Sequence, residues 1–165
     1  HMNESIKTEL WLQIGASIDM FENALHKCPE NLWEGEEKFW YIAYHTLFYT
    51  DYYLSTEPDK FRPPEPYTLS EFDPDGIMPD RVYDKTMLVE YTGHCREKCR
   101  TLIAGLTEEK AQTRWINERR NYSMFELLLY NMRHVQHHAA QLNLLLRQRV
   151  DLAPNWVGKT KKSLT

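Results

Sequence analysis

The stretch SMFELLLYNMRHVQHHAAQLNLLLRQR, residues 123–149, decides the reading of this chain. Ser123 with Glu126 three residues later is a capping box: the hydroxyl can accept from the amide of Glu126, and the carboxyl can reach back. It opens a long last helix that runs to about Arg149. At about 100° per residue, His134 and His138 lie roughly 40° apart on that helix. Leu127 and Leu145 fall on the same line, so the histidine pair interrupts the inward edge of the apolar face. His137 points roughly 60–100° away, toward the side of Tyr130 and Leu144.

Working outward, the same period recurs three times. Residues 4–27 place Ile6, Leu10, Ile14, Ile18, Phe21 and Leu25 on one stripe, and Cys28-Pro29 ends it. Residues 37–55 form a second helix that is aromatic around most of its circumference, as a buried helix is. Residues 80–105 return to helical spacing through Leu88, Tyr91, Cys95 and Leu102. Residues 56–79 hold six of the eight prolines and read as a long ordered loop. A loop of that length inside one domain is uncommon and often functional. Residues 106–122 are polar and read as a connection, with no credible strand alternation. The expected fold is all-α: a four-helix bundle with a long Pro-rich loop between helices 2 and 3. Residues 3–158 form one domain, and 159–165, with Lys159, Lys161 and Lys162, a solvated polar tail.

The 165 residues carry a net charge of -4, which argues against nucleic acid as a partner. No apolar stretch approaches the roughly 18 residues that a membrane span needs. Residues Asn3 to Lys7 lack the apolar core of a signal peptide, so a cytoplasmic location is expected. His1 reads as a cloning remnant followed by the native start methionine, Met2. The odd count of three cysteines, Cys28, Cys95 and Cys99, then reads as reduced thiols.

Residues four apart on a helix have Cβ atoms about 5–6 Å apart, so His134 and His138 can converge on one ion at about 2.1 Å. A third ligand must come from another helix. His45 lies mid-helix among Tyr41, Phe48, Tyr49 and Tyr52, where a lone imidazole would lose solvation and need a partner. Three neutral imidazoles suit zinc, nickel, iron or copper better than calcium or magnesium, and leave positions open for water or substrate. Spacing alone leaves metal ligation and packed histidines equally open. Tyr41, Phe48, Tyr49 and Tyr52 can line a pocket or simply fill the core. Arg119 and Arg120, before the last helix, can bind a substrate carboxylate or stand as surface charges. Rival metal sites are poorer: Cys95 and Cys99 find only Cys28 as a further thiol, and ExxH, HExxH and GxSxG motifs are missing.

Two stretches resemble the DinB/YfiT-like family of small bacterial metalloproteins: Tyr44-His45-Thr46-Leu47-Phe48 with Asp51, and His134-Val135-Gln136-His137-His138-Ala139-Ala140-Gln141. The closing Pro154-Asn155-Trp156-Val157 extends the likeness over nearly the whole chain. Many relatives carry Arg-Gly where this chain has Ala139-Ala140. The resemblance implies one divalent ion, zinc or nickel first and iron as a further option, held by His45, His134 and His138, with His137 outside the ligand set. It further implies a small-molecule substrate or a low-molecular-weight thiol, which the metal ionises for attack on an electrophile. The alternative is a non-catalytic metal-binding stress or interaction protein. A homodimer is expected from the family and from the aromatic surplus that includes Trp11 and Trp33.

Overall fold

Asn3 caps the first helix, its Oδ1 accepting from the Ser5 amide at 2.8 Å, and α1 runs Glu4–Lys27 in the computed structural model, which describes residues 2–165. His1 lies outside the described residues. The predicted stripe of α1 is buried from Leu10 through Leu25, while Ile6 at its start is exposed. A single turn, α2 (Glu30–Trp33), follows Pro29. Helix α3 spans Phe39–Tyr53, and α4 spans Lys85–Ala104 behind an Asp84 cap that accepts from the Met87 amide. The latter begins later than its expected start at residue 80, because the cap at Asp84 sets the boundary. A short α5 (Glu108–Gln112) leads into β1 (Arg114–Ile116) and β2 (Asn121–Ser123), and α6 closes the set over Met124–Val150.

The chain is mostly helical, as its periodicities predict. Helix α1 packs on α4 and α6, and α3 packs on the same two. Ser123 caps α6 as expected, accepting from the Glu126 amide at 3.1 Å. The connection 106–122 differs from its expectation. It contains an antiparallel hairpin that pairs Trp115 with Tyr122. Strands of three residues are too short to show alternation, and Trp115 alone turns fully inward, its Nε1 donating to the Ser55 carbonyl at 2.8 Å.

The long loop is ordered by α3 beneath it. Tyr44 donates to the Thr68 carbonyl and Tyr49 to the Glu71 carbonyl, while Tyr67 donates to the Met87 carbonyl on α4. Phe61 and Phe72 lie against Phe48 and Tyr52 with ring centroids 4.8–5.4 Å apart. Three of these four pairs are edge to face, a geometry that adds about 0.5–1.5 kcal/mol each beyond their area. Tyr41, Tyr44 and Tyr49 of α3 thus spend their hydroxyls on the loop.

Two expectations about the surface are corrected. Segment 159–165 is docked on α1 rather than solvated along its length. The Thr160 amide donates to the Leu12 carbonyl, Trp11 Nε1 donates to the Lys162 carbonyl, and Leu164 is buried. Gly15 admits it, since a Cβ there would stand 2.6 Å from Thr160 Cγ2. Lys159, Lys161 and Lys162 still face water. Trp11 and Trp33 are core residues, each with its indole N–H bonded to a carbonyl, and supply no surplus surface. No helix among the described residues is long and apolar enough to cross a membrane. All three cysteines are free and buried.

Candidate metal centre

Helices α3 and α6 bring His45, His134 and His138 together. One ring nitrogen from each lies within 4.8 Å of those of the other two. The rings stand nearly edge to face, with His134 and His138 centroids 4.8 Å apart and His45 at 5.2 Å from His138 and 6.4 Å from His134. Rings so inclined do not stack on one another.

The remaining nitrogens are each met by an oxygen. His45 Nδ1 lies 2.7 Å from Glu71 Oε2, His138 Nδ1 lies 2.7 Å from Gln141 Oε1, and His134 Nδ1 lies 3.4 Å from Asn131 Oδ1. Asn131 spends its amide N–H on the Thr50 carbonyl, which leaves its oxygen toward His134. Oxygen acceptors require Nδ1 to carry the proton in all three rings, so in the neutral imidazole it is Nε2 that keeps the free lone pair. Such an outer set of acceptors is what orients metal-ligating histidines. His134 Nε2 is buried and has no hydrogen-bond partner among the described residues. An orphaned acceptor of that kind costs about 1–3 kcal/mol unless something fills its lone pair. A divalent ion would do so, and the donor set fits one.

Burial favours the neutral form of the two α6 histidines. Burial drives His134 down to about 3, with His138, His45, His137 and Arg120 adding to the effect. His138 is also lowered, by burial first, against the opposing hydrogen bond to Gln141. The His45 side chain is 36 % exposed, so the cluster opens to solvent on its α3 side.

Glu71 is the functional residue that periodicity missed. It sits in a short 3-10 turn, Ser70–Phe72, within the long loop, and its side chain is only 4 % exposed. Tyr41 donates to its Oε1 at 2.6 Å while His45 meets its Oε2. Burial raises the Tyr41 phenol well above its ordinary value, and the bond to Glu71 adds to this, so Tyr41 stays a donor. Asn131 and Gln141, by contrast, stand three residues from His134 and His138, a spacing that sequence could have shown.

Of the proposed pocket residues, Tyr41 and Tyr49 flank His45, at ring separations of 6.5 and 4.9 Å. Phe48 and Tyr52 are buried, packed against the buried Phe61 and the more exposed Phe72. His137 is exposed and outside the cluster, as its angle predicts. Arg120 lies half-buried over the rings of Tyr53 and Tyr130, and Arg119 is exposed. His94 approaches a buried carboxyl, Asp51, at 3.5 Å. A cavity of about 1070 Å³ opens near His94, Lys98 and Phe61, and its lining does not include the three histidines. No protein-family model, curated protein or solved structure matches this chain.

Proposed function

We propose that this protein is a divalent-metal-dependent enzyme that activates a low-molecular-weight thiol or water at His45, His134 and His138. The observation that carries the reading is the buried, unpartnered Nε2 of His134 in a triangle whose three Nδ1 atoms are all met by oxygens. A bound divalent ion supplies a lowered pKa for a coordinated thiol or water, which makes a nucleophile near neutral pH. Three protein ligands and an exposed His45 edge are the pattern of a catalytic rather than a closed structural site. Glu71 holds His45 in one tautomer and one ring orientation. Tyr41 and Tyr49 hold Glu71, through its carboxyl and its carbonyl respectively. Zinc or nickel suits the three imidazoles best, with iron as a further option.

The motif likeness, together with four long helices that each pack on two others, supports a DinB/YfiT-like four-helix bundle. The test is twofold. Protein purified without chelator is assayed for metal, then offered small thiols with monochlorobimane, whose chloride leaves as the sulfur bonds to carbon. Metal-dependent transfer that is lost in His138→Ala supports the enzyme. Tightly held metal with no transfer and no hydrolysis makes it a non-catalytic metal-binding protein instead.

A further inference from the structure

Arg120 is a half-buried cation with no carboxyl partner among the described residues. The other arginines withdrawn from solvent are neutralised: Arg96 by Asp19 and Glu22, Arg100 by Glu97. Arg120 instead lies over two phenol rings, 5.3 Å from the centroid of Tyr53 and 5.1 Å from that of Tyr130. It spends one N–H on the Tyr130 hydroxyl at 2.7 Å. A guanidinium has five such donors in a rigid fork suited to carboxylates.

Its place is set by the hairpin. Asn117 Oδ1 accepts from the amides of Arg119 and Arg120, and Asn117 Nδ2 donates to the Tyr52 hydroxyl on α3. Trp115 ties the same hairpin to Ser55. The turn is thereby fastened beside the histidines. The Tyr53 ring that carries Arg120 stands edge-on to His134 at 5.6 Å and 5.9 Å from Tyr49, which itself touches His45. A single ring separates the guanidinium from the imidazole cluster.

We propose that the metal centre takes an anionic substrate, a small thiol bearing a carboxylate, and that Arg120 receives the carboxylate while the sulfur faces the histidines. This rests on the metal-site reading above. A divalent ion and the unpaired guanidinium bring three positive charges, of which Glu71, against His45, offsets one, leaving an excess of two. A neutral ligand does not balance that excess, whereas a thiolate with a carboxylate does.

The test uses cobalt-loaded full-length protein and two thiols of equal length, 3-mercaptopropionate and 3-mercapto-1-propanol. The sulfur-to-cobalt charge-transfer band reports binding of each. The wild type is expected to bind the carboxylate thiol about tenfold tighter or better, the worth of a charge-assisted hydrogen bond. In Arg120→Gln the two affinities converge while cobalt content stays near one per chain. Arg120→Lys, which keeps the cation over the rings but loses the fork, retains part of the preference and guards against misfolding of the glutamine variant. Equal affinities in the wild type overturn the proposal. So does a preference that survives Arg120→Gln, which assigns the carboxylate to the metal. If no cobalt binds at all, the metal reading falls with it. If cobalt binds without any carboxylate preference, only the present proposal falls.

Discussion

Glu71 and His45 meet at 2.7 Å across 26 residues of sequence, carboxyl Oε2 against imidazole Nδ1. The contact joins the long loop to the middle of α3 and fixes which nitrogen of His45 is free. Partners of this kind typically change metal affinity about 10–100-fold when removed. Glu71→Ala is therefore expected to weaken zinc binding by that factor in a competition with a fluorescent chelator. Glu71→Gln, which keeps one acceptor oxygen, loses less. Wild-type affinity in Glu71→Ala would show that His45 needs no orientation from the loop.

Metal content separates ligands from neighbours. The wild type should carry about one divalent ion per chain, and His134→Ala should lose most of it, since two imidazoles rarely hold such an ion tightly. His137→Ala should retain the ion, because its ring is exposed and outside the triangle. Stoichiometric metal in a His45, His134, His138 triple alanine variant, measured by elemental analysis, would sink the assignment.

Asp51 is a structural prediction. Its buried carboxyl accepts from Lys98 Nζ at 2.6 Å and from the Tyr91 hydroxyl at 2.8 Å, pinning α3 to α4. Removing one partner of a buried pair costs about 3–5 kcal/mol, because the other charge is left without compensation. Asp51→Ala should lower the urea midpoint by the equivalent amount at neutral pH. A shift under about 1 kcal/mol, the size of an exposed pair, would mean that water reaches Lys98 and replaces the carboxyl.

The thiols should be silent in the native state. Burial pushes Cys28 and Cys99 up to about 12 and Cys95 well above its ordinary value. A raised pKa leaves a thiolate fraction of roughly one in ten thousand at pH 8 for the first two, so reactivity climbs only as pH rises toward 12. Ellman's reagent at pH 8 should find no thiol in the folded protein and all three in guanidinium. Fast labelling of a native thiol would contradict the burial.

What the sequence by itself determined is local and periodic. The stripe from Leu10 to Leu25, the Ser123 cap and the spacing of His134 and His138 all follow from 3.6 residues per turn, which any helix must obey. Even His45 could be singled out, as an imidazole set among aromatic residues. The tertiary structure decided what period cannot reach. Glu71 lies in a proline-rich loop with no repeat to mark it, and only closure of that loop on Tyr44 and Tyr49 puts it against His45. The hairpin that presents Arg120 has strands too short to alternate, and it exists because Trp115 finds the Ser55 carbonyl and Asn117 finds Tyr52. The C-terminal segment docks because Gly15 has no side chain to bar Thr160. Each of these contacts pairs residues far apart in the chain, and its free energy depends on a partner's position that local sequence does not encode.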